Sequence, residues 1–99
     1  MGMVDVSEKP VVVRKAQAGG RIFLSPKTLD EINAGRIKKG NPLQVAEVAS
    51  MNAAKQTHLL IPHCHQIPLD TVRVDFQVRA DSIEAVCYVS ARARTGVEM

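Results

Sequence analysis

The chain has 99 residues, 45% of them hydrophobic but with only two Phe, one Tyr and no Trp, and its 13 Lys and Arg outweigh 10 Asp and Glu for a net charge of +3. This length and composition bound it to one domain with a core built from aliphatic side chains. The charge suits an anionic ligand, but the basic residues are scattered and aromatics do not interleave with them, so a nucleic-acid-binding stripe is poorly supported and a phosphate is the better expectation. Cys64 and Cys87 lack the close spacing of a disulfide framework, no apolar run approaches the roughly 18 residues of a membrane helix, and no signal peptide opens the sequence. A reduced, cytoplasmic setting is therefore expected, with no membrane partner.

Met3 to Pro10 is a polar lead-in in which Asp5, between two valines, reads as a solvent-facing residue of a short extended segment. Val11 to Leu24 reads as a strand, with Ala16, Ala18, Gly20, Ile22 and Leu24 on one face and Lys15, Gln17, Arg21 and Phe23 on the other. Gly19-Gly20 predicts a bulge or a close backbone approach within it. Ser25-Pro26 signals a short helix with Leu29 and Ile32 as its apolar face and Gly35 as its stop.

The stretch from Lys38 to Leu69 carries most of the candidate chemistry. Asn41 is placed to cap a helix, Pro42 has the preset φ of the first helical position, and Gln44 stands where a capping box wants Glu or Gln. Val45, Val48, Ala49, Asn52, Ala53, Gln56 and Leu60 then recur at helical spacing and predict the face that approaches a sheet or a partner, until Pro62 ends the helix. Lys38 and Lys39 precede the helix N-terminus, where free N–H groups attract anions, so they read either as an anion-binding corner or as a solvated basic turn. Lys55 lies at the rim of the stripe Val48, Met51, Lys55, Leu59, where a snorkelling stem is the alternative to a functional ammonium.

His63, Cys64 and His65 follow. In an extended chain the two imidazoles point one way and Cys64 the other. His65 is the candidate for hydrogen bonding or proton transfer, because imidazole titrates near neutrality. A soft divalent metal held by His63, Cys64 and His65 with nearby His58 is a competing reading, but metal ligands are usually spaced by two to four residues and number four, so no metal site is assigned. Val72 to Val78 alternates without a fault, Ala80-Asp81-Ser82 makes a turn, and Ile83 to Arg92 returns with Ile83, Ala85, Cys87, Val89 and Ala91 on one face. Cys87 then reads as a core filler. Strand, helix, helix, strand, strand is part of a two-layer α+β sandwich, and a split βαβ plan needs a further helix and strand, so Arg94 to Met99 reads as the start of an element cut short.

Taken together these motifs resemble the MoaC family of cyclic pyranopterin monophosphate synthases, which act in molybdenum-cofactor biosynthesis. The resemblance rests on MVDVS at Met3 to Ser7, on Arg14 and the alanines after it, and on KKGN at Lys38 to Asn41. It is extended by NAAKQT around Lys55, IPHCH at Ile61 to His65 and TGVEM at Thr95 to Met99. It covers nearly the whole chain and implies a ferredoxin-like α+β fold with helices on one face of an antiparallel sheet, lacking the last helix and strand. Residues 1 to 99 would form a single domain matching the N-terminal two thirds of the family's.

The implied reaction is that of a lyase. A cyclised dihydro-GTP, made by a radical-SAM partner enzyme, is rearranged to cyclic pyranopterin monophosphate with release of pyrophosphate. A homohexamer built from dimers, an active site at the dimer interface and no cofactor are also implied.

Lys39 and Lys55 match the family's active-site lysines, suited to neutralising a triphosphate and stabilising charge as pyrophosphate leaves. Asp5 and Arg14 match polar residues of the same pocket, His63, Cys64 and His65 the substrate-binding tripeptide, and Glu98 and Met99 further substrate contacts. His63 stands where the family usually has Leu, Gln66 where it has Pro, Asn41 where it has Asp and Ser50 where it has Gly. A later Asp and Lys that carry acid–base chemistry in the family have no counterpart here, so the chain is expected to lack full activity. The alternatives from other classes are a small anion- or metal-binding module, a dimerisation domain and an inactive fragment.

Overall fold

Two long strands set the frame of the structure, a computed structural model that describes residues 2–99. Strand β1 (Val12–Phe23) and strand β3 (Ser82–Ala93) pair antiparallel along their full lengths, and β2 (Thr71–Val78) pairs with the other edge of β3, giving the order β1-β3-β2. Helices α1 (Pro26–Asn33) and α2 (Pro42–Leu60) lie in the connection from β1 to β2. The architecture is the α+β one that the element order implied, three antiparallel strands with two helices, consistent with part of a ferredoxin-like fold.

The expected bulge at Gly19-Gly20 is absent. The register runs unbroken from Val12 opposite Ala93 to Phe23 opposite Ser82, with Gly19 opposite Val86 and Gly20 opposite Ala85. A β-carbon on Gly19 would make only ordinary contact, 3.5 Å from the Ala85 carbonyl oxygen, and one on Gly20 would meet open space. Neither glycine is required by the backbone, and both φ values are negative.

Both helices start and stop as their local chemistry dictates. Ser25 caps α1 by accepting from the Thr28 N–H, and Asn41 caps α2 by accepting from the Leu43 N–H at 3.0 Å. Gly35 at φ 71° follows the end of α1; its N–H returns to the Ile32 carbonyl and the Arg36 N–H to the Glu31 carbonyl, a Schellman closure that uses otherwise orphaned acceptors. Helix α2 ends at Leu60, with Ile61 extended ahead of Pro62.

The face that α2 turns inward differs from the one its hydrophobic spacing predicted. Pro42, Leu43, Ala46, Ser50, Met51, Ala54, Thr57 and His58 are the partly covered positions, whereas Val45, Val48, Ala49, Asn52, Ala53, Gln56 and Leu60 are exposed. Small and hydroxylated side chains, Ala46, Ser50, Ala54 and Thr57, form the middle of the covered line. The hydroxyls of Ser50 and Thr57 bond back to the Ala46 and Ala53 carbonyls, so they can face the sheet without leaving a polar atom unsatisfied. Helix α2 rests against β2, and an open groove of about 300 Å³ remains between Ser50, Ala53 and Thr57 of the helix and Ala16, Ala18, Cys87 and Val89 of β1 and β3. Cys87 lines this groove and is only half-buried rather than enclosed in a core.

The best-packed apolar cluster sits at the end of the sheet. Val97, 3% exposed, covers Ala91 and Ala93, and Ala16, Val89, Ile67 and Leu69 close around them. The small alanines are what let the tail after β3 and the loop before β2 lie directly on the strands. Asp70 fixes that loop: its N–H donates to the Ser90 carbonyl at 2.9 Å and its carboxylate accepts from the Arg92 N–H at 3.0 Å.

Two outcomes follow for stability. Truncating Val97 to Ala removes two buried methyl groups from the tightest cluster and should lower unfolding free energy by about 2 kcal/mol, read from the midpoint of a denaturant melt. On the other side of the fold the Arg21 and Arg79 guanidiniums hold the Glu84 carboxyl below its ordinary range. A carboxylate depressed in the folded state contributes stability that is present above its unfolded pKa and lost as pH falls through the folded one. Glu84→Gln should accordingly lower stability slightly at neutral pH, where the contribution is present, and flatten the acid limb of a stability-against-pH profile below about pH 4, where variant and wild type converge.

Candidate active site

Four of the candidate residues, Lys55, His65, Glu98 and Met99, border the loop from Gln66 to Leu69. Pro68 within it and Pro62 upstream keep the stretch between α2 and β2 out of helix and sheet, and the loop borders three adjoining depressions. Glu98 and Met99 line the groove under α2, which Leu69 also lines. Leu69, Pro68, Ile67 and Gln66 next form a hollow with Lys55 and His58. Gln66, Ile67 and Pro68 also wall a second hollow, of about 220 Å³, with His65, Arg92, Arg94 and Thr95.

Residues 2–7, which include Asp5, form a strap bonded to the His-Cys-His tripeptide. Residues 61–64 form a turn closed by the Cys64 N–H on the Ile61 carbonyl, not a strand, yet His63 and His65 still point to one side. His63 Nδ1 lies 2.9 Å from the Gly2 carbonyl and His65 Nε2 2.6 Å from the Val4 carbonyl. A carbonyl only accepts, so each of these ring nitrogens carries the proton. His63 Nε2 and His65 Nδ1 are thereby the nitrogens left for a ligand when the rings are neutral. The Cys64 thiol instead donates to the His65 carbonyl. Asp5 lies within the strap, and its exposed carboxylate accepts from the Ser7 N–H, the main reason that its pKa lies below the usual carboxylate value.

Arg14 reaches the same end from β1. Its Nη2 is 3.5 Å from the Arg94 carbonyl, and its buried Nε has no hydrogen-bond partner among the described residues. Lys39 lies apart from these residues. It precedes the N-terminus of α2, and from Pro42 to Lys55 the helix rises about 20 Å at about 1.5 Å per residue. A single chain thus separates Lys39 from Lys55 and His65. Among the described residues no three His, Cys, Asp or Glu side chains converge to hold a metal ion, and the metal-binding alternative gains no support. No described helix is long and apolar enough to cross a membrane.

Arg92 and Arg94, which line the second hollow, were not among the candidates because strand alternation placed Arg92 on the face away from the apolar one and left Arg94 outside any element. The signal available was the ARART run itself, with its arginines two residues apart at the end of β3. The strap predicts its own test: in the double variant His63→Ala/His65→Ala, amides of residues 2–7 should exchange with solvent several-fold faster while those of β3 keep their protection. Unchanged exchange in the strap would mean that the imidazoles do not hold it.

Comparison with known proteins places this geometry in a family. The model of the MoaC family matches residues 3–99. Over 97 residues, 98% of the chain, it is 52% identical to the probable cyclic pyranopterin monophosphate synthase of Thermococcus kodakarensis and 50% identical to that of Thermococcus onnurineus, covering 62% of each. The protein of the same name from Pyrococcus abyssi is 50% identical, with 61% of its length covered. The chain thus spans a little over three fifths of the length of these relatives, and a match that takes in the strap, both helices, the His-Cys-His turn and the tail makes it a member of the MoaC family.

Proposed function

We propose that the chain belongs to a lyase acting in molybdenum-cofactor biosynthesis, which converts a cyclised dihydro-GTP to cyclic pyranopterin monophosphate and releases pyrophosphate. The observation that carries this reading is that Lys55, His65, Glu98 and Met99 border one loop, in a chain half identical to proteins named for that product. Residues 1–99 are read as a single domain unit equivalent to the N-terminal part of the relatives, working in the cytoplasm on a substrate supplied by a radical-SAM enzyme.

The chemistry asked of these residues is electrostatic and acid–base. Lys55, exposed at the end of α2, neutralises phosphate oxygens and stabilises the charge that builds up as the P–O bond to the departing pyrophosphate breaks. His65, whose Nε2–H is committed to the Val4 carbonyl, accepts or returns a proton at Nδ1. The same bond holds the ring still, and with it the strap that presents Asp5. Arg14 orients the tail by its bond to the Arg94 carbonyl, and Glu98 and Met99 face the substrate from the groove.

Lys39 joins this set if a second copy supplies it. The exposed apolar line Val45, Val48 and Leu60 on α2 supports a homo-oligomer. In the hexamer read for the family, Lys39 of one copy completes the site around Lys55 and His65 of another.

Titrating the purified chain with the cyclised dihydro-GTP should give saturable binding. Lys55→Ala and His65→Ala should each weaken it by about tenfold or more, the usual cost of one charge-assisted contact. Lys39→Ala should weaken it similarly only where light scattering shows an assembled oligomer. Equal affinity in wild type and all three variants would overturn the proposal.

A further inference from the structure

Charge pairing across the molecule is uneven. Four of the seven arginines are neutralised by carboxylates: Arg21 by Glu84 at 2.8 Å, Arg36 by Glu31 at 3.1 Å, Arg73 by Asp75 at 3.2 Å and Arg79 again by Glu84 at 3.5 Å. The other three, Arg14, Arg92 and Arg94, have no ion-pair partner among the described residues, and all three lie at the same end of the sheet, where Arg14 is opposite Ala91 and Val13 opposite Arg92. The carboxylates nearby are used otherwise. Asp70 accepts from the Arg92 backbone N–H, and Asp5 accepts from the Ser7 N–H.

Arg92 and Arg94 line the hollow of about 220 Å³ together with His65 and Thr95, and Lys55 borders the adjoining hollow across Gln66 to Pro68. A water occupies about 30 Å³ in the liquid, so the space admits a phosphoryl group or two. Planar guanidiniums suit phosphate oxygens, which they can bind through paired N–H donors, and Thr95 adds a hydroxyl.

We infer that Arg92 and Arg94, with Thr95 and His65, form an anion-recognition hollow that holds the diphosphate end of the ligand. Lys55 lies at the side where the rest of the molecule would extend. Naming the end of the ligand rests on the functional reading above; the hollow itself does not. Exposed arginines that were merely solvated would need neither a shared depression nor carboxylate neighbours committed to backbone N–H groups.

The experiment uses inorganic pyrophosphate as probe and the isotope-labelled full chain, followed by amide shifts at low salt. Wild type should show saturable shifts centred on His65 and Arg92 to Thr95, weakening as salt is raised. Arg92→Gln and Arg94→Gln should each lower affinity about tenfold and the double variant further, Arg94→Lys should retain part of it, and Arg36→Gln should leave it unchanged. Because the wild-type shift map needs no variant, misfolding of a substituted chain cannot hide the answer. Shifts centred on Lys38 and Lys39, no saturable shifts, or tighter binding of a single-stranded oligonucleotide at the same amides would overturn the inference. Pyrophosphate shifts at Arg92 to Thr95 without binding of the cyclised nucleotide would sink the functional reading and leave the hollow standing. Nucleotide binding unaffected by both Arg→Gln changes would do the reverse.

Discussion

Everything at the functional end of this molecule depends on Val97 lying flat on Ala91 and Ala93. Larger side chains at those two positions of β3 would lift the tail off the sheet, whereas alanines let it approach, so that Ile67 and Leu69 close over the same patch. One apolar contact therefore fixes two separate stretches of chain: the loop that carries Gln66 to Leu69, and the tail that carries Arg94 to Met99. The polar groups then fall into place around it, with Asp70 tying the loop to the Arg92 N–H and Arg14 tying β1 to the Arg94 carbonyl. Burial of a few methyl groups is modest in free energy, yet it sets the positions of most of the charged groups proposed to act.

The rest of the structure is lightly covered by comparison. Helix α2 has no fully buried residue, and β1 is exposed along most of its length although it pairs with β3 throughout. Much apolar surface on Ile22, Phe23, Val45, Leu59 and Leu60 remains open. A second copy is the occupant that the proposed site calls for, since Lys39 is an α2 length away from Lys55. The same assembly would cover part of the open surface and complete the charge set in a single step.

Much of the fold was legible in the residues. Strict alternation in Val72 to Val78, the Ser25-Pro26 and Asn41-Pro42 caps, the Gly35 stop and the Pro62 break are local signals that act through their own backbone, and each matched the structure to within a residue or so. The inward face of α2 was not legible, because periodicity ranks positions by hydrophobicity while the helix here turns its small and hydroxylated line toward the sheet and leaves valines outside. The Gly19-Gly20 expectation failed for a related reason: glycine permits a bulge but does not require one. The His-Cys-His turn and Lys55 could be singled out by residue type and family motif. What no local pattern could supply was the loop from Gln66 to Leu69 as the meeting point of His65 and Lys55, or the lack of ion pairs at Arg92 and Arg94 among the described residues, since both are properties of tertiary neighbours.

The most direct test of the account is an experimental structure of the chain with the cyclised dihydro-GTP bound. The account predicts phosphate density against Arg94, Thr95 and Lys55, the pterin precursor beside His65 Nδ1, and, in an assembled oligomer, the partner copy's Lys39 at the same ligand. A ligand seated elsewhere, with the Gln66 to Leu69 loop and His65 untouched, would contradict it.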